Sequence, residues 1–193
     1  MRKGMGSAAA AAWIVFSVAA FAQSTPTTIS DEARAVIEST KPQPIPGDLT
    51  PAVAETIRKN RQSGRAVTNE QLKGALLQSV EELTLDGVPV LLITPKNYNA
   101  ANDAKAAIYI HGGGYALGTA FDPMAAYMAA ELGLKLYSIE YRLAPEHPYP
   151  AGLDDCVNAY REILKRHDAE NLVVFGVSAG GGLTLTTILR ARD

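Results

Sequence analysis

Leu172-Val173-Val174-Phe175-Gly176-Val177-Ser178-Ala179-Gly180 is the stretch on which the reading of this chain turns. Leu172 to Phe175 is a continuous apolar run, the pattern of a strand buried on both sheet faces. It stops at a G-x-S-x-G turn, and a helix is expected from there towards Arg190. A serine hydroxyl is a weak nucleophile until a base takes its proton. A sharp strand-to-helix turn exposes its Oγ, and Gly176 and Gly180 remove side chains that would clash in so tight a bend. A helix beginning at Ala179 would aim its positive end at a developing oxyanion. G-x-S-x-G also arises by chance; its place between strand and helix is what gives it weight.

Upstream, strands and helices alternate. Ala106 to Ile110 reads as a short strand ending at His111-Gly112-Gly113-Gly114. Pro123 to Leu132 reads as a helix stopped near Gly133, and Leu134 to Glu140 as the next strand. A helix from about Leu153 to Arg166 follows, with Leu153, Val157, Tyr160 and Leu164 on one face. Such alternation predicts an α/β domain with a largely parallel sheet, its chemistry at the carboxyl ends of the strands. Both glycine-rich turns fall there. Three consecutive glycines let backbone N–H groups approach a ligand unobstructed, as an oxyanion hole requires. The same run could be a plain flexible loop. A phosphate loop is disfavoured, because Gly113 and Gly118 have its spacing but Thr119-Ala120 follow where Lys and Ser or Thr should stand.

The N-terminal part changes character several times. Arg2-Lys3, the apolar run Ala8 to Phe16 and Ala20-Phe21-Ala22 have the three-part layout of a secretory signal peptide, so residues 1–22 are expected to be removed and the protein secreted or periplasmic. The run is shorter than a spanning helix needs, so no stable membrane anchor is expected. Asp31 to Thr40 has helical character with Ser30 as N-cap, Lys41 to Pro51 is a proline-rich linker, and Thr50-Pro51 starts a helix through about Lys59. Residues 23–78 are thus linker and cap-like helices. Ser79 to Thr94 reads as a hairpin turning at Asp86-Gly87.

Composition narrows the partners. Of 193 residues, 47% are hydrophobic and 20% charged, ordinary for a globular chain. A formal net charge of −2 gives no reason to expect nucleic acid. One cysteine, Cys156, excludes an internal disulfide framework, and with three histidines no metal site is expected.

The two turns, with the block Tyr141-Arg142-Leu143-Ala144-Pro145-Glu146-His147-Pro148-Tyr149-Pro150-Ala151, resemble the hormone-sensitive-lipase-like family of α/β-hydrolases, the esterases with an HGGG motif and a YRLAPEHPFPA stretch. The three motifs stand in the family's order. The resemblance covers about Glu81 to Asp193, and residues 29 to 80 look only loosely like the family's cap helices. It implies an α/β-hydrolase fold, with residues 79–193 as the N-terminal portion of its catalytic domain, acting on small-molecule esters or lactones without a cofactor. Ser178 is then the nucleophile, and Gly112, Gly113 and Ala179 are the oxyanion donors. His111 is a loop anchor, Gly114 part of the same loop, and Tyr115 a wall of the acyl pocket. The 141–151 block is chiefly structural, with Glu146 a candidate for support of the site and His147 part of the turn. Val177 departs from the aspartate common there in the family.

The larger departure lies after Ser178. In this fold the acid and then the histidine follow the serine in chain order. Between Ser178 and Asp193 there is no histidine, and Asp193 is the only carboxylate. Asp154, Asp155 and His167 are poorly placed to substitute, since base and nucleophile must come within roughly 3 Å. The chain therefore reads as a truncated esterase, inactive alone, with an unpaired sheet edge. A non-catalytic binding protein on the same scaffold is the alternative. A purely structural envelope protein would leave two catalytic turns in the right order unexplained.

Overall fold

The computed structural model describes residues 28–39 and 48–192, so the expected signal peptide and most of the expected proline-rich linker lie outside the described residues. The chain divides into two units, residues 1–45 and 46–193. In the first, helix α1 (Asp31–Ser39) is capped by the Ser30 hydroxyl, which accepts from the Ala33 N–H at 3.2 Å; no residue of it is buried.

The second unit is a three-layer α/β structure. Helix α2 (Pro51–Leu76) starts with Thr50 as N-cap and Pro51 in the first turn, as expected, but runs 26 residues instead of stopping near Lys59. Strands β1 (Leu77–Leu85) and β2 (Val88–Pro95) form the expected antiparallel hairpin. Asp86 and Gly87 both have positive φ, 48° and 77°, as a two-residue turn matching the twist of its strands demands. The alternating part follows as β3 (Ala106–Ile110), α3 (Pro123–Leu132), β4 (Lys135–Ile139), α4 (Ala151–Leu164), β5 (Leu172–Gly176) and α5 (Ala179–Arg192). Gly133, left-handed at φ 62°, ends α3.

The sheet order is β1-β2-β4-β3-β5. β4, β3 and β5 are parallel, and the hairpin joins antiparallel through β2. Alternation along β3 sends Ile108 and Ile110 to one face and Ala107 and Tyr109 to the other. The first face is packed with Leu153, Val157 and Ile163 of α4 and Leu183 of α5. The second meets Leu72 of α2 and Ala125, Ala126 and Ala129 of α3, where small side chains let the helix lie close. All five residues of β3 are buried, because strands flank it on both sides and helices cover both faces. β5 departs from its apolar reading. Among the described residues it pairs only with β3, and Val173 is 43% exposed, so its burial depends on neighbours its own sequence does not encode. Among the described residues no helix is long and apolar enough to cross a membrane.

Candidate active site

The carboxyl ends of β3 and β5 lie side by side, Ile110 opposite Gly176, so the two glycine-rich turns emerge together. At the β5–α5 turn the backbone comes too close for side chains. A Cβ on Gly180 would sit 2.0 Å from the Ile110 carbonyl oxygen, and one on Gly176 would sit 2.4 Å from that of Gly180. Between them Ser178 has φ +56°, the left-handed region that costs a non-glycine residue about 1–3 kcal/mol and is kept where surroundings enforce it. Its side chain is exposed, and its carbonyl accepts the Gly181 N–H at 2.9 Å as α5 begins. This is the sharp strand-to-helix turn expected from the sequence, built by close packing of α5 on the end of β3.

The second turn touches the first. A Cβ on Gly112 would lie 2.5 Å from the Val177 carbonyl oxygen and 3.4 Å from Ser178 Cβ. Gly113, at φ 124°, bends the loop back so that its carbonyl accepts from Leu117 N–H at 2.9 Å. Among the described residues, the N–H groups of Gly112, Gly113 and Ala179 form no hydrogen bond to the loops and turns around them. Ala179 heads α5, where a helix leaves its first N–H groups without internal partners.

His111 anchors this loop. It is fully buried, and its Nδ1 faces the Gly112 carbonyl at 2.8 Å, which requires the proton on Nδ1. Its ring stacks on Tyr141 at 4.3 Å, and the Tyr141 hydroxyl donates to the His111 carbonyl at 2.8 Å. Burial pushes the imidazole pKa below its ordinary value, so the ring is neutral. The 141–151 block thus braces the glycine loop, and a further bond does the same: Ala144 N–H donates to Tyr115 O at 2.9 Å.

Glu146 acts at one remove. It pairs with Arg58 of α2 through two contacts of 2.9 Å. Arg58 also donates to the carbonyls of Ala116, at 2.8 Å, and Ala144, at 2.7 Å. One guanidinium therefore ties α2, the glycine loop and the 141–151 block together. Short sequence windows gave no sign of this, since its partners are far apart in the chain.

Ser178, Gly112 and Gly113 open onto a cavity of about 380 Å³, walled partly by Tyr109, Phe121 and Met124 and partly by Arg58, Arg61 and Arg65 of α2. Tyr115 lies elsewhere: at φ 62° it turns into a neighbouring, more apolar cavity of about 580 Å³ with Gly114, Tyr141, Tyr149, Leu153 and Leu183. His147 also lines that second cavity. Arg61 and Arg65 were missed because the helix was expected to end near Lys59.

No hydrogen bond to the Ser178 hydroxyl is formed among the described residues, and the remaining candidates for acid and base are engaged at a distance. Asp155 holds Arg142 through its side chain and its backbone N–H. Asp154 pairs with Arg190 at 2.7 Å. His167 contacts the Tyr137 hydroxyl and the Ala104 carbonyl, each at 3.1 Å. Asp122 lines the Ser178 cavity but accepts from the Tyr109 hydroxyl at 3.1 Å and caps α3 through Ala125 N–H at 3.0 Å. The arrangement can position an ester carbonyl between a hydroxyl and free N–H donors; a base within reach of Ser178 is not among the described residues.

The model of the α/β-hydrolase fold family matches residues 107–193. Mouse hormone-sensitive lipase is 33% identical over 134 residues, which are 66% of this chain and 18% of that protein. Versiconal hemiacetal acetate esterase of Aspergillus parasiticus is 36% identical over 117 residues, 60% of this chain and 37% of the relative. Among solved structures, the esterase of the hyperthermophilic archaeon Pyrobaculum calidifontis superposes with a TM-score of 0.67 at 26% identity, covering 86% of this chain and 53% of that one. The chain thus spans well under half the length of these two curated relatives and about half of the solved esterase. With the elbow, the glycine loop and the 141–151 block assembled as described, the chain has the α/β-hydrolase fold and resembles the N-terminal part of the hormone-sensitive-lipase-like esterases.

Proposed function

We propose that this chain carries the nucleophile and oxyanion half of a carboxylic ester hydrolase. Ser178 Oγ attacks the ester carbonyl, and the N–H groups of Gly112, Gly113 and Ala179 hold the resulting oxyanion. The alcohol leaves, and water hydrolyses the acyl-enzyme. The supporting observation is the contact between the two turns: Ser178 is held left-handed at the head of α5, against a glycine loop whose first N–H groups are free. His111 and Gly114 shape the loop, Gly176 and Gly180 permit the turn, and Glu146 steadies the loop through Arg58. Small esters or lactones fit the cavity volume better than long fats.

In this proposal the acid and histidine of the triad belong to the part of the relatives that this chain does not span. Hydrolysis of p-nitrophenyl butyrate tests it. The protein translated from the intact locus should turn the ester over, and Ser178→Ala should abolish this. The 193-residue chain alone should be slower by several orders of magnitude, since losing one member of such a unit removes most of its effect. Undiminished turnover in Ser178→Ala would refute the assignment. Export is proposed on the leader's layout, and the mature N-terminus should read Gln23-Ser24-Thr25; an exported protein retaining Met1 would refute it.

A further inference from the structure

We propose that Arg61 and Arg65 form an anion-binding wall of the Ser178 cavity, so that the ester taken there carries a carboxylate or similar anionic group away from the reacting carbonyl. That the ligand is an ester rests on the function proposed for Ser178; the anion site does not. Helix α2 is anchored by apolar residues towards both ends, Ala54 fully buried and Leu72 nearly so. Between these anchors, Arg58, Arg61, Arg65 and Asn69 line the cavity at three- and four-residue spacings. Arg61 and Arg65 are solvent-exposed, so this part of α2 gives the open cavity a cationic rim.

Arg58 is satisfied by Glu146 and two carbonyls. Arg61 and Arg65 have no acidic partner among the described residues, and Asp122, the carboxylate in the lining, is held by Tyr109 and the α3 N-terminus. The head of α5 gives the cavity floor a further positive end. A chain of net charge −2 therefore carries positive charge along one side of this open cavity. Two guanidiniums four residues apart on one helix face, roughly 6 Å between their Cβ atoms, are suited to a planar carboxylate or a phosphate-like group.

The test is equilibrium binding to the full chain, using amides that need no turnover: N-phenylsuccinamic acid as the anionic probe and N-phenylbutyramide as its neutral counterpart. At low salt the unaltered chain should bind the acid about tenfold more tightly than the neutral amide. Added salt should weaken only the acid. Arg61→Gln with Arg65→Gln should erase the preference, leave the neutral amide unchanged and leave thermal unfolding near that of the parent. Arg61→Lys with Arg65→Lys should keep part of the preference. Equal binding of the two probes, no binding of either, or a preference that survives in the double glutamine variant would overturn the proposal. Failure of Ser178 to act as nucleophile would leave these measurements intact, so the two claims fall separately.

Discussion

Replacing Gly180 by alanine should break the elbow. The added Cβ would lie 2.0 Å from the Ile110 carbonyl oxygen and 2.6 Å from that of His111. Neither obstacle is a flexible side-chain tip; both are backbone at the end of the fully buried strand β3. Even a tight contact of roughly 3 Å requires a separation of about 1 Å between α5 and β3, and overpacking of this kind costs about 1–3 kcal/mol. With backbone on both sides the upper figure is expected, about 3 kcal/mol. Ser178 lies two residues away on the same turn, so the shift also displaces its hydroxyl from the glycine loop. A misplacement of about 1 Å lowers rate by roughly 10²-fold. Gly181→Ala is the control, because its Cβ would meet nothing nearer than the Gly176 carbonyl oxygen, at 3.3 Å, and alanine gains up to about 1 kcal/mol of helix propensity. Urea unfolding followed by circular dichroism should separate the two variants clearly. A Gly180→Ala chain within about 0.5 kcal/mol of the parent would refute the packing argument, being the range of a neutral surface change.

Arg58→Met should destabilise by about 2 kcal/mol, because it strips two carbonyls of a charged donor, and Glu146→Gln should cost less, since those bonds remain; chemical denaturation of both variants checks the order. Cys156 is buried and its thiol is pushed up to about 12 by burial, so a disulfide reagent at pH 8 should label it only after unfolding, and rapid labelling of the native chain would contradict its packing beneath α5. Glu140 has its pKa raised by burial while its carboxylate accepts the Ala120 N–H at 2.6 Å. Its folded state holds the proton longer than the unfolded chain, so stability falls as pH rises from the unfolded value of 4.5 through the raised folded value, then levels. Glu140→Gln lacks this loss, and its stability relative to the parent should increase over that window in pH-dependent urea unfolding.

The sequence read most clearly where structure is made by neighbouring residues. The Asp86-Gly87 turn, the Gly133 stop, the Thr50-Pro51 start and the two glycine turns all depend on local backbone needs, and each stands where expected. Helix α2 exceeded its expected end because Lys59 to Gly64 lacks an apolar stripe. It is held instead by the distant Arg58 clamp and by Leu72 in the α3-side core. The cationic cavity wall followed from that extension and was equally hidden. Tyr115, implied by the resemblance to wall an acyl pocket, has a left-handed φ of 62° and lines the more apolar cavity beside that of Ser178, a placement its sequence neighbours do not encode. Val173 illustrates the remaining gap, since an apolar strand residue is covered only where another element lies over it.

The central claim is that Ser178 forms the covalent bond to the acyl group. Treating the protein from the intact locus with a fluorophosphonate, then reading the adduct by peptide mass spectrometry, tests it most directly. The account predicts a single modified peptide containing Ser178, no adduct in the Ser178→Ala variant, and markedly slower labelling in Gly180→Ala. An adduct on another residue, with Ser178 unmodified and esterase turnover intact, would contradict it.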